Sequence, residues 1–127
     1  MKLSPDKILS GVRKRCLLYP ESNETAAWGH PNFRAGKKAF VTFERWEGRP
    51  SIAFRVQDAE REKVRSDGEF FVTPYGRGQW LSLWIDRPIP DWSVIEGLID
   101  KGYRLVASKM TRMKNPSPNG RGRTKSR

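Results

Sequence analysis

Residues 38–56 read KAFVTFERWEGRPSIAFRV, two alternating runs on either side of a Glu47-Gly48-Arg49 turn. In Ser51–Val56, Ile52, Phe54 and Val56 fall on one face and Ser51, Ala53 and Arg55 on the other. That period of two marks a strand with one buried face. In Lys38–Arg45, Val41 and Phe43 point one way, Phe40 and Thr42 the other. A short turn between such runs pairs them antiparallel.

The same pattern extends in both directions. Gln79–Asp86 sets Leu81, Leu83 and Ile85 against Trp80, Ser82 and Trp84. Phe70–Thr73 is a strand leading into it through a Pro-Tyr-Gly-Arg-Gly turn at residues 74–78. Pro31–Ala35 is a short strand ahead of the Ala35-Gly36-Lys37 turn, and the polar, small residues 21–27 read as a loop. Asp58 caps a short charged helix through Arg65. Helices flank the strands. Residues 5–18 place Ile8, Leu9, Val12, Cys16 and Leu17 on one stripe, with Ser4 as N-cap and Tyr19-Pro20 as the stop. A second helix starts at a Ser93-x-x-Glu96 capping box and carries Ile95, Leu98, Ile99 and Val106 to about Lys109. Gly97 and Gly102 in its interior mark close packing or a weak point. The order α-β-β-β-α-β-β-α predicts an α+β two-layer sandwich, an antiparallel sheet of about five strands with helices on one face.

Composition sets outer bounds. A chain of 127 residues is expected to form one domain. Five Trp and 36% hydrophobic residues supply a core, which a disordered basic peptide lacks. One Cys excludes an internal disulfide and a Cys-based zinc cluster. There is no apolar run of membrane-spanning length and no signal-like N-terminus, so a cytoplasmic protein without a membrane partner is expected. The formal net charge is +11, unevenly placed. Six of the 25 basic residues and no acid fall in 111–127, a Pro-, Gly- and Ser-containing stretch expected to be a disordered basic tail on a domain of residues 1–110. Such a tail serves either as a polyanion contact or as a solubilising extension.

Trp28-Gly29-His30-Pro31-x-Phe33-Arg34 followed by Gly36-Lys37-Lys38-Ala39-Phe40 resembles the signature of the MmcQ/YjbR-like family. Phe71-Val72-Thr73-Pro74-Tyr75 with Trp80-Leu81-Ser82-Leu83 is similar to that family's second block, and residues 98–107 to its terminal helix. The resemblance implies a frataxin-like (CyaY-like) sandwich and a DNA-binding role. It does not bring iron binding with it: the first helix offers Lys7, Arg13, Lys14 and Arg15 where hard acidic ligands are needed.

No catalytic set emerges, and neither an enzyme, a cofactor nor a metal is expected. His30 stands alone, Cys16 lies on an apolar stripe, and Ser82 sits in a strand rather than a nucleophile elbow. What remains is a basic surface. Lys37, Lys38, Arg45, Arg49 and Arg77 at hairpin turns, Arg13 and Lys14 on the first helix, and Arg121 and Arg123 in the tail are the candidate phosphate contacts. The leading expectation is a monomeric, DNA-binding protein making mainly backbone contacts. The alternative is a small-ligand or protein-interaction module whose pocket is lined by Trp28, His30, Phe33, Tyr75 and Trp80.

Overall fold

The computed structural model describes residues 3–27, 29–57, 70–73 and 78–114, with side chains described as far as Ala107 and Ala27 by backbone alone. The first helix, α1 (Pro5–Cys16), begins as its sequence dictates. Ser4 is extended, at φ −66° and ψ 154°, and its Oγ accepts the Lys7 N–H at 3.2 Å. Asp6 lies in the first turn and Arg13, Lys14 and Arg15 in the last, each charge complementing the helix dipole. Ile8, Val12 and Cys16 are buried. Leu17, expected on that stripe, is instead exposed, because the helix ends one residue earlier in tightened turns that carry the chain to Pro20.

Residues 21–27, read as a loop, are mostly a strand. β1 (Ser22–Ala27) pairs along its whole length with β2 (His30–Ala35). The Gly36 turn leads to β3 (Lys38–Trp46), and a two-residue turn with Glu47 at φ 53° and Gly48 at φ 82° leads to β4 (Arg49–Arg55). Both turn residues are left-handed, the geometry that matches the twist of adjoining strands. The helix expected at residues 58–65 lies outside the described residues, as does most of the 74–78 turn. β5 (Phe70–Val72) and β6 (Trp80–Trp84) complete a six-stranded sheet of order β1-β2-β3-β4-β6-β5, antiparallel at every pairing. The sixth strand, beyond the five expected, is β1, and it ends the sheet on one side.

The last helix, α2 (Trp92–Lys114), starts with the Val94 and Ile95 N–H groups donating to the Asp91 carbonyl. Asp91, not Ser93, therefore stands at the cap. The helix continues to Lys114, so residues 111–114 of the expected tail are helical, and the rest of the tail lies outside the described residues.

Both helices cover one face of the sheet. Val41, Phe43, Ile52, Phe54, Leu81 and Leu83 meet Ile8, Val12, Ile95, Ile99 and Val106 in one core. The helices run in the same direction. Trp92 lies against Gly11, Arg15 Nε donates to Glu96 at 2.8 Å, and the Tyr19 hydroxyl donates to Asp100 at 3.1 Å. Gly102 is the seat of α2 on the sheet, since a Cβ there would stand 3.1 Å from the carbonyl oxygens of both Phe40 and Arg55.

Phe40 departs from its expected face. The β2–β3 register passes from Phe33↔Val41 to Arg34↔Ala39, a bulge that leaves Phe40 without a partner on β2. Phe40 turns into the core against Tyr19 and Tyr103, and Ala39 becomes the residue opposite Arg34.

Candidate functional site: a cationic end of the sheet

Antiparallel strands give the sheet two ends. The near end carries the β2–β3 turn, the start of β3 and β6, and the finish of β4. The far end carries the β3–β4 turn and the start of β2. Lys37 and Lys38 are exposed at the near end, whereas Arg45 and Arg49 stand at the far end. Seven residue steps along β3 separate Lys38 from Arg45, about 23 Å at strand rise. The hairpin-turn cations therefore do not form one surface, because successive hairpin turns of a meander alternate ends.

Several of these cations are already engaged. Arg49 Nε and Nη2 donate to both Asp86 oxygens at 2.7 and 3.0 Å, and its guanidinium lies 3.8 Å over the Trp84 ring, which stacks in turn on Phe71. Arg13 clasps Glu24 in the same two-pronged way at 2.8 and 3.0 Å, which raises its pKa and ties α1 to the edge strand. Arg45 donates to the Gly48 carbonyl. Lys14 is exposed on α1. Arg77, Arg121 and Arg123 lie outside the described residues.

The described members of the expected aromatic pocket, His30, Phe33 and Trp80, are not brought together. Phe33 is fully buried in the core beneath the helices. His30 starts β2 at the far end, its ring 6.2 Å from Phe43. Trp80 starts β6 at the near end and faces away from the helices. Three strand pairings and the length of the sheet separate His30 from Trp80. Trp28 and Tyr75 lie outside the described residues. A shallow depression of about 380 Å³ adjoins His30; its described lining is Glu24, Thr25, Ala26, Gly29 and Pro31.

The near end does gather a set that sequence reading passed over. Arg34 and Ala39 are partners on β2 and β3, and Arg55 and Trp80 are partners on β4 and β6, all on the face away from the helices. Arg34 Nη1 donates to the Lys37 carbonyl at 2.6 Å and its Nε to Thr25 Oγ1 at 3.1 Å. From the opposite side, Arg55 Nε donates to the Ala39 carbonyl at 2.8 Å while its guanidinium lies 4.6 Å over Trp80. Two arginines thus bond carbonyls of residues 37–39, the stretch that also carries the exposed Lys37 and Lys38. Among the described residues no ion pair joins a carboxylate to any of these four cations. Burial alone pushes the Arg55 guanidinium below its usual pKa. A desolvated cation lacking an acidic partner gains most from a bound anion. Arg55 was legible as the one cation on the Ser51–Ala53 face, whereas its place beside Trp80 follows from the β4–β6 pairing.

Catalytic and metal chemistry have less to work with. The Cys16 thiol is buried, and desolvation raises its pKa far above that of a reactive thiolate. Ser82 is buried, its Oγ 2.7 Å from that of Thr73. Among the described residues there is no group of three or more His, Cys, Asp or Glu placed to hold a metal ion.

The family model YjbR matches residues 17–105. No curated protein matches the chain. Among solved structures, Deinococcus radiodurans protein DR2400, with domain DUF419, is 17% identical with a TM-score of 0.70, over 91% of this chain and 95% of that one. A protein from Pseudomonas syringae is 13% identical with a TM-score of 0.63, over 82% and 99%. A Bacillus subtilis protein of the DUF1801 family is 16% identical with a TM-score of 0.50, over 81% and 76%. At these identities the likeness is one of fold, an α+β arrangement of two helices on an antiparallel sheet.

Proposed function

Given that the chain belongs to the YjbR family, we propose that it binds nucleic acid, duplex DNA first, by holding backbone phosphates at the near end of the sheet. The carrying observation is the convergence of Arg34, Lys37, Lys38 and Arg55 on one turn, free of described carboxylate partners, while Arg13 and Arg49 are already paired. Helix α2 strengthens the reading. It passes the near end at Gly102 and runs twelve more residues, about 18 Å, to Lys114. The described chain therefore ends beyond the end where the cations gather. Phosphate contacts position a protein without reading bases, so this reading carries no sequence preference. It is a binding role without catalysis, exercised by a cytoplasmic monomer. No described helix is long and apolar enough to cross a membrane. Both helices on one face of an antiparallel sheet also suit the frataxin-like variant of the fold that the family resemblance implies.

The test is duplex binding across a salt series. Each phosphate contact contributes about −0.9 to the log–log slope, so losing two contacts with Lys37→Glu/Lys38→Glu should flatten it by nearly 2. Arg45→Glu/Arg87→Glu, at the β3–β4 turn and just past the far-end finish of β6, makes the same charge change there and should leave the slope near the wild-type value. Equal losses from both pairs would show a diffuse charge effect and refute the near-end site.

A further inference from the structure

We infer that the near end contains a discrete slot for one tetrahedral oxyanion, the phosphate group, over Ala39 between Arg34 and Arg55. This deepens the proposed nucleic-acid reading and rests on it only for the source of the phosphate. The slot is a product of the bulge. In a regular ladder the position between the two arginines on the outer face would hold Phe40. The extra residue sends Phe40 to the core, fully buried, and leaves a methyl group in its place. Bulges commonly re-aim side chains in this way beside binding sites.

The flanking groups fit a phosphate rather than a simple halide. Arg34 and Arg55 lie two strand spacings apart, roughly 10 Å between backbones; Arg34 is held between Thr25 of β1 and the Lys37 carbonyl at the turn, and Arg55 reaches over to the Ala39 carbonyl of β3. Among the described residues Arg55 spends only Nε on that contact, with both Nη groups left as a planar fork, and Arg34 spends Nε and Nη1 and keeps Nη2. Such forks match phosphate oxygens in pairs. Trp80 beneath Arg55 fixes its plane, and its own 7% exposure keeps water from that side. Lys37 and Lys38 are exposed at the adjoining turn. Along β3 the next acid is Glu44, on the same outer face, whose carboxylate accepts the Thr42 hydroxyl at 3.4 Å; Glu21 meets the turn through its backbone carbonyl, which accepts the Gly36 N–H.

The experiment titrates the full chain with inorganic phosphate, then with duplex DNA, following the Arg34 and Arg55 Nε–H and Trp80 indole NMR signals. Phosphate should shift all three saturably, and chloride at equal ionic strength should not. Ala39→Leu fills the slot while keeping every charge, and Arg55→Lys keeps the charge while losing the fork. Each should weaken phosphate about tenfold or more, and Arg55→Lys carries the test if Ala39→Leu perturbs the strand. A chloride response equal to that of phosphate, or undiminished phosphate binding in both variants, overturns the slot. DNA binding that leaves the three signals unmoved also overturns it, while the nucleic-acid reading survives. Saturable phosphate binding without any DNA binding supports the slot as a site for free phosphate and removes the nucleic-acid reading.

Discussion

Gly97 and Gly102 lie in the same helix, and the same substitution should move stability in opposite directions at the two. An alanine in a helix interior gains about 1 kcal/mol over glycine from propensity alone. At Gly97 a Cβ would meet nothing within 4 Å, so Gly97→Ala should realise that gain. For a domain of this size 1 kcal/mol corresponds to about 4 °C in Tm. At Gly102 the new Cβ would stand 3.1 Å from two backbone carbonyls, those of Phe40 and Arg55, on adjacent strands. Neither can swing aside as a side chain can, so the helix must lift by a few tenths of an ångström over buried Ile99 and Val106. Overpacking of this kind costs roughly 1–3 kcal/mol, which cancels or exceeds the propensity gain. Gly102→Ala should therefore leave Tm unchanged or lower it by up to about 8 °C. Thermal melts by circular dichroism, with urea unfolding as a second measure, read both variants. A Gly102→Ala protein stabilised as much as Gly97→Ala would refute the seating of α2 on the sheet.

Two further outcomes follow from buried or bonded side chains. Tyr19 is held protonated by desolvation first and by its bond to Asp100, so its pKa is raised from 10 to about 12. Because the unfolded chain releases that proton earlier, stability should be intact below pH 10 and fall as pH rises through 12; Tyr19→Phe should flatten that fall. Cys16, buried and with its thiol pKa raised by desolvation, should resist a thiol reagent in the native protein and react at once in denaturant. Rapid native labelling would contradict its burial.

The strands that face the helices were readable because their alternation is driven by burial. Ile52, Phe54, Leu81 and Leu83 each lie on the face their spacing predicts. The candidate site was less legible, for a geometric reason. Sequence distance shows that Lys38 and Arg45 flank turns, but not that consecutive turns lie at opposite ends. The bulge at Phe40 has no residue signature in the alternation, and it is what brings Ala39, Arg34 and Arg55 together. Trp80 was read as a face residue without its covering Arg55, since the pairing of β4 with β6 skips the intervening strand in the chain.

The strand missed altogether, β1, has a consequence for solubility. An edge strand offers its unpaired amide and carbonyl groups to any passing chain, and a flat apolar edge recruits further copies into a growing stack. β1 reads SNETAA, with Asn23, Glu24 and Thr25 exposed and Glu24 tethered to Arg13 of α1. On the opposite side β5 has only three residues. The composition that disguised β1 as a loop is thus the one that discourages strand-to-strand polymerisation at this edge.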